Sequence, residues 1–249
     1  MKVILEINST KYSADLSKPN DIGIMLRDGG DNPNCFYAEY PTITPYVSGD
    51  FVGDISAGSP VNFKNVFFNP HGNGTHTECS GHIMDNGLTV GSLLKKYFFT
   101  AKLITLSPIE KSGDYIVGSD FDFNSLEGIE ALIVRTLPNA ADKLTKNYSG
   151  ENPPYFDPSF LGKCNQNGIQ HFLTDLPSVD KEVDGGKLSS HRSFWENIGD
   201  DRTRCTITEL IYVPEKLRDG LYLVELQIMN LDLDASPSRP VLYTLSKIG

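Results

Sequence analysis

The chain has 249 residues, with 32 acidic against 22 basic side chains and a formal net charge of -10 at pH 7. That length fits one large α/β domain, or two small ones, and can bury a substantial core. The acidic balance, with no Lys/Arg cluster and no basic stripe interleaved with aromatics, argues against nucleic acid, because phosphate neutralisation needs a basic face.

No stretch approaches the ~20 apolar residues of a membrane helix. The start, Met1-Lys2-Val3-Ile4-Leu5-Glu6, breaks its apolar run too early for a secretory signal. Cys35, Cys79, Cys164 and Cys205 are scattered, with no C-x-x-C pair, and read as reduced, mostly buried thiols. A cytoplasmic protein with no membrane partner is expected.

Met1 to Asp15 reads as a strand or hairpin. An irregular stretch rich in Gly, Asn, Asp and Pro follows, to about Pro60. Its aromatics, Phe36, Tyr37, Tyr40 and Tyr46, argue against disorder and suggest a pocket wall, although ordinary packing explains them equally well. Val61 to Asn69 alternates like a strand, Leu93 to Tyr97 resembles a short helix, and Ala101 to Ser107 a strand. Asp120 to Gly128 is helix-like, and Ala131 to Thr136 a buried strand. Asp157-Pro158 opens and Gly168 closes a further helix. Strands are expected over Gln170–Thr174, Cys205–Val213, Leu221–Leu233 and Val241–Leu245. Strands alternating with short helices, without a repeat, indicate a single α/β domain over residues 1–249.

Three of the five histidines fall in one window, His71-Gly-Asn-Gly74-Thr75-His76-Thr-Glu78-Cys79-Ser80-Gly-His82. A lone histidine is usually a surface or satisfied core group. Three with a glutamate in one glycine-rich segment are hard to account for that way. Imidazole and carboxylate are the ligands catalytic zinc, manganese and iron take. Five residues of helix advance about 500°, which would set His71 and His76 on different faces, so a loop that lets the rings converge is expected. The step from His76 to Glu78 is the extended-chain spacing that puts two side chains on one side. Two histidines and a carboxylate on one ion leave positions open for water.

Further on come Leu176-Pro177-Ser178-Val179-Asp180 leading to His191, and Ile207-Thr208-Glu209-Leu210. With the histidine window, these blocks resemble the cyclase family of metal-dependent hydrolases, which includes kynurenine formamidase and isatin hydrolase. The family pattern H-x-G-T-H-x-D-x-P-x-H is matched by His71 to His82, T-P-S-V-D and a histidine by residues 176–180 and His191, and a glutamate in I-x-E-x-L by Glu209. Weaker echoes lie at Asp15-Leu16-Ser17, Ile133 to Thr136 and Ala235 to Val241. The match spans nearly the whole chain in order.

The resemblance implies a swivelling β/β/α-type fold, with a mixed β-sheet core and flanking helices. It implies that His71, His76 and Glu78 hold a first metal, and that Glu78 and Glu209 bridge to a second that His191 also binds. His82 would be the proton donor and acceptor. One or two zinc ions, or one manganese, are implied, with a homo-oligomer, commonly a dimer, whose partner segments close the site. Three positions depart from the pattern. Glu78 replaces the usual aspartate, one extra residue separates His71 from Gly74-Thr75-His76, and Ser80 replaces the proline. The substrate-contacting N-terminal tryptophan of some members has no match, since the only tryptophan is Trp195.

The expected function is metal-dependent hydrolysis of a small amide, cyclic amide or ester, of the arylformamidase or cyclic-amide hydrolase type. The alternatives are a dehydratase or cyclising activity on the same metal, and a metal-bound small-molecule binding protein without turnover. Outside the pattern, His171 is expected to be structural. Asp175 and Asp180 are expected to hydrogen-bond around a tight turn. Cys79 is a weak candidate nucleophile without a dedicated base, and Arg192 is either a carboxylate binder or a surface residue.

Overall fold

The computed structural model describes residues 1–118, 121–196 and 204–248. In chain order the strands used below are β1 (Lys2–Ile7), β2 (Thr10–Asp15), β3 (Asn20–Asp21), β4 (Thr42–Pro45), β5 (Lys64–Phe67) and β6 (His76–Cys79). They continue with β7 (Phe98–Leu106), β8 (Ala131–Thr136), β9 (His171–Thr174), β10 (Thr206–Glu209), β11 (Gly220–Glu225), β12 (Ala235–Pro237) and β13 (Val241–Thr244). The helices are α1 (Val90–Leu93), α2 (Pro158–Gln166) and α3 (Ser189–Trp195).

Nine of these strands form one mixed sheet in the order β12-β6-β10-β9-β8-β7-β11-β13-β3. The four middle strands, β10, β9, β8 and β7, are parallel, and every pairing outside them is antiparallel. Parallel neighbours need crossover connections, and α2 and α3 lie in the β8–β9 and β9–β10 crossovers. All six residues of β8 are buried, as expected of a parallel strand covered on both faces. Its Leu132 and Val134 pack with Phe156, Phe160, Phe172, Phe194 and Ile207. Ala131 and Ile133 pack on the opposite face with Ala101, Leu103, Leu173 and Val224. The mixed sheet with flanking helices is the fold class the sequence implies.

Most predicted elements are present. β1 and β2 form a hairpin whose two-residue turn, Asn8-Ser9, takes φ 48° and 62°, the geometry that matches strand twist. At α2, Asp157 caps the first turn by accepting from the Ser159 amide at 2.8 Å, with Pro158 at the first helical position.

Three elements differ from the expectation. The helix expected over Leu93–Tyr97 is instead Val90–Leu93, started by a Thr89–Ser92 capping box. It ends where Leu94 turns extended, with φ -75° and ψ 96°, and the Tyr97 carbonyl then accepts from Leu226 N at 2.8 Å as the chain enters β7. Within the expected Asp120–Gly128 helix, Asp120 lies outside the described residues and Phe123–Leu126 form a single 3-10 turn. The strand expected over Cys205–Val213 ends at Glu209, because Leu210 turns left-handed with φ 53°.

The irregular stretch contains more order than its composition suggests. β4 pairs with β5, and all four β5 residues are exposed. Val47, Phe51, Ile55, Val61, Phe63, Val66 and Phe67 are exposed along the same arm.

Candidate metal centre

β6 carries the heart of the site. His76 and Glu78 stand two apart on it, so both side chains leave the same face. The register with β10 sets Glu209 opposite His76, and the two side chains approach to 3.5 Å between Nε2 and Oε2. The left-handed turn at Leu210 thus ends β10 immediately after the residue it delivers.

His71 precedes β6 in the expected loop. Asn69 Oδ1 accepts from His71 N and Gly72 N at 3.0 Å each, and Asn73 Oδ1 accepts from Asn69 N at 2.6 Å. Gly74 has φ 111°, which a residue with a Cβ adopts only under strain. After β6 the chain turns through Ser80–His82 and brings the His82 ring back over the strand. A Cβ at Gly81 would lie 2.1 Å from the Leu88 carbonyl oxygen, so this turn requires glycine.

His191 comes from α3. Asp180 accepts from Ser190 N at 2.7 Å and His191 N at 3.1 Å, which caps the helix. The same carboxylate meets His191 Nδ1 at 2.6 Å and turns Nε2 to Glu78 Oε1 at 2.9 Å. Glu209 Oε1 accepts from Val179 N at 2.8 Å.

The four rings share one plan. Each has one nitrogen held by an acceptor at the rim: Asp234 for His71 and His82, the Gly74 carbonyl for His76, Asp180 for His191. The other nitrogen of His71, His82 and His191 lies 3.2, 3.8 and 2.9 Å from the Glu78 carboxylate. Such outer partners fix the tautomer and aim the free lone pair inward. Among the described residues His76 Nε2 is buried with no hydrogen-bond partner, Glu209 Oε2 standing off at 3.5 Å. A buried ring nitrogen with nothing to accept or donate is costly unless it is bound.

Among the described residues, ligand atoms lie within 4.8 Å of one another in three sets: His71, His76 and Glu78; Glu78, His82 and His191; and His71, His82 and Asp234. The donor set, imidazoles around a buried carboxylate, fits a divalent metal. All six residues singled out from the sequence, His71, His76, Glu78, His82, His191 and Glu209, are therefore brought together. Glu209 sits at the edge, 3.9 Å from His191 Nε2, and belongs to none of the three compact sets.

Asp234 is the residue the sequence reading missed. It directly precedes the Ala235–Val241 segment already noted as an echo of the family, and nothing in the run Leu-Asp-Leu-Asp distinguishes it from Asp232. Of the pocket-wall aromatics, Phe36 lines the cavity of about 190 Å³ over the site. Tyr46 instead packs edge-on against Phe63 in the arm. His171 is structural, bonded to Thr206 Oγ1 at 2.8 Å with its ring against Phe99. Asp175 accepts from Thr136 N and Lys143 Nζ, away from the site. Cys79 is buried, and that burial raises its thiol to about 11. Arg192 pairs with Glu196 on the surface.

The charges are tightly matched. Burial would raise the Glu78 carboxyl, but the surrounding His82 and His191 hold it well below its usual range. Burial would lower His71, but hydrogen bonds to Asp234 and Glu78 outweigh it and lift the ring to about 10. His191 is lifted to about 10 against burial by Glu78 and Asp180. Both raised pKa values stabilise the metal-free fold fully below the unfolded value of about 6.5, and that contribution is lost as pH rises toward 10. Metal must displace those protons. Apparent zinc affinity is therefore expected to strengthen from pH 6.5 to 8.5 by about tenfold per pH unit for each proton displaced. Calorimetry in buffers of different ionisation enthalpy measures the protons directly. A flat affinity with no proton release would contradict the charge assignment.

The family model described as "Putative cyclase" matches residues 14–181, about two thirds of the chain. The chain belongs to the cyclase family. His191 and Glu209 lie beyond the matched residues, so the structure and not the family match ties them to the histidine window. Solved structures share the cyclase fold. One described as a potential metal-dependent hydrolase with cyclase activity is 16% identical, with a TM-score of 0.61 over 91% of this chain and 98% of its own. A predicted metal-dependent hydrolase from Bacillus stearothermophilus is 15% identical, with a TM-score of 0.59 over 91% and 98%. Isatin hydrolase A from Ralstonia solanacearum is 13% identical, with a TM-score of 0.65 over 91% and 92%.

Proposed function

We propose that this cyclase-family chain is a metal-dependent hydrolase of a small amide, cyclic amide or ester. The observation that carries this reading is the convergence of three imidazoles, those of His71, His82 and His191, on the buried Glu78 carboxylate, with the His76 Nε2 atom beside them making no hydrogen bond among the described residues. Family membership and the two relatives named as metal-dependent hydrolases support it.

His71, His76 and Glu78 would hold a first zinc or manganese ion, and His191 with Glu209 and Glu78 a second. A bound ion supplies Lewis acidity, which polarises a carbonyl and lowers the pKa of water from near 16 to about 7. The chain's residues do the rest. His82 presents Nε2 to the cavity and is placed to hold a proton there and pass it to a leaving nitrogen. Phe36 and Leu188 give the cavity an apolar side, against which an uncharged ring or acyl group can lie. Its ~190 Å³ is below the roughly 300–1,000 Å³ of drug-sized sites, which favours a small substrate.

A panel of aryl formamides, lactams, imides and esters, assayed after loading with zinc or with manganese, tests the reading. Hydrolysis of at least one class, abolished by chelator and restored by metal, is the expected result. Retained metal with tight ligand binding and no turnover would instead favour a binding protein. Elimination of water or ring closure without hydrolysis would favour the dehydratase or cyclase alternative.

The chain is further proposed to be a single cytoplasmic domain that forms a homodimer. All four cysteines are buried and no C-x-x-C pair is present, which suits a reducing compartment, and among the described residues no helix is long and apolar enough to cross a membrane. The arm around β4 and β5 exposes Val47, Ile55, Val61, Phe63, Val66 and Phe67, apolar side chains of the kind that a subunit interface covers. Light scattering at micromolar concentration should give twice the chain mass, and Phe63→Asp with Phe67→Asp should shift it to one. An unchanged mass for that double variant would remove the arm from the interface.

A further inference from the structure

We propose that Asp234 is a positioning residue whose single carboxylate oxygen sets the tautomers of two site histidines at once. His71 is thereby prepared as a ligand and His82 as a proton acceptor. This deepens the hydrolase reading and rests on it for the catalytic half.

The geometry is specific. Asp234 Oδ2 lies 2.9 Å from His71 Nε2 and 3.0 Å from His82 Nδ1. An ionised carboxylate only accepts, so both of those ring nitrogens must carry hydrogen. In the neutral rings, reached for His71 once metal displaces its second proton, the opposite nitrogens, His71 Nδ1 and His82 Nε2, carry the lone pairs. Both face Glu78 Oε2, at 3.2 and 3.8 Å. One oxygen thus imposes opposite tautomers on the two rings, Nε2–H on His71 and Nδ1–H on His82. The rings lie 4.3 Å apart at a tilt of 31°, as two imidazoles sharing one acceptor would.

Among the described residues no other acceptor does this for them. His76 has the Gly74 carbonyl and His191 has Asp180. The backbone of Asp234 is also fixed to the site. Its carbonyl accepts from Cys79 N at 2.9 Å, and the following residue, Ala235, is paired with Glu78 across the β12–β6 ladder. The carboxylate therefore keeps its place relative to the strand that bears the ligands. Its side chain is 32% exposed, so truncation leaves no sealed cavity in the core.

Zinc-loaded protein with 15N-labelled histidine, read by long-range proton–nitrogen correlation spectra, reports the tautomers independently of turnover. The wild type should show Nε2–H on His71 and Nδ1–H on His82. Asp234→Ala should lose the fixed Nδ1–H form of His82 and weaken zinc about 10–100-fold, the scale for losing a partner behind a ligating histidine. At saturating zinc its kcat should fall about 10–100-fold, with KM within about threefold. Asp234→Asn keeps an acceptor oxygen at the same place and should restore the His82 tautomer and most of the kcat. Unchanged tautomers in Asp234→Ala would overturn the proposal. So would loss of zinc from Asp234→Asn as complete as from Asp234→Ala, because Asp234 would then be a ligand itself. Tautomer and affinity shifts in a protein that hydrolyses nothing would uphold the placement of Asp234 and count against the hydrolase reading alone.

Discussion

Glu78→Ala should purify with less than about a tenth of the wild-type metal and should not be rescued by ordinary metal supplementation. The side chain is 1% exposed and is the one anion that His71, His82 and His191 all face. Removing it takes away a ligand and leaves buried imidazoles without their counter-charge. Breaking one partner out of a buried charge pair typically costs about 3–5 kcal/mol, so the metal-free variant should also melt earlier. Plasma emission analysis and thermal melts read both effects. Metal content equal to wild type would sink the ligand scheme. Glu78→Asp separates chemistry from reach. If the longer carboxylate offsets the extra residue in the His71–Gly74 segment, the aspartate variant should bind metal more weakly than wild type, although it restores the usual family residue.

His82→Ala should behave in the opposite way. Metal content should stay near wild type, while turnover falls at least ~100-fold, the usual scale of acid–base catalysis. His82 belongs to two sets of close ligand atoms, one with Glu78 and His191 and one with His71 and Asp234, so geometry alone gives it both roles. Its side chain is 29% exposed, close to the 27% of His71, but its inner nitrogen stands farther from Glu78, at 3.8 Å against 3.2 Å, whereas the His76 and His191 rings are almost wholly enclosed. An open ring whose far nitrogen is pinned suits proton transfer, because it can meet a substrate atom. Loss of stoichiometric metal on this substitution would reassign His82 as a ligand.

How far the sequence was legible depended on whether the controlling interactions were local. The His76–Glu78 step needed only the alternation of a strand, and β6 has it. Helix α2 carried both its cap, Asp157, and its stop, Gly168, within its own segment, and the buried β8 announced itself by the apolar run Ala131-Leu132-Ile133-Val134. The signals failed where distant chain decided. The chain from Leu94 runs extended toward β7, where Leu226 N bonds the Tyr97 carbonyl, and Asp234 became a site residue only because β12 lies beside β6. In the arm, β5 was legible within the alternating Val61–Asn69 run, whereas β4 lay unread in the irregular stretch, because it is set by pairing with β5 and not by a core face. Glu209 was legible through the family resemblance, but not the reason its strand ends there. That reason is the left-handed turn at Leu210, a backbone state ordinarily signalled by glycine or asparagine.

The central claim is that His71, His76 and Glu78 form the cage of a divalent metal. It is tested most directly by anomalous X-ray diffraction at the zinc and manganese edges, on crystals of protein purified without chelator. The account predicts a metal peak about 2.0–2.2 Å from His71 Nδ1, His76 Nε2 and a Glu78 oxygen. A fully occupied metal centred elsewhere, with His76 Nε2 left without a ligand, would contradict it.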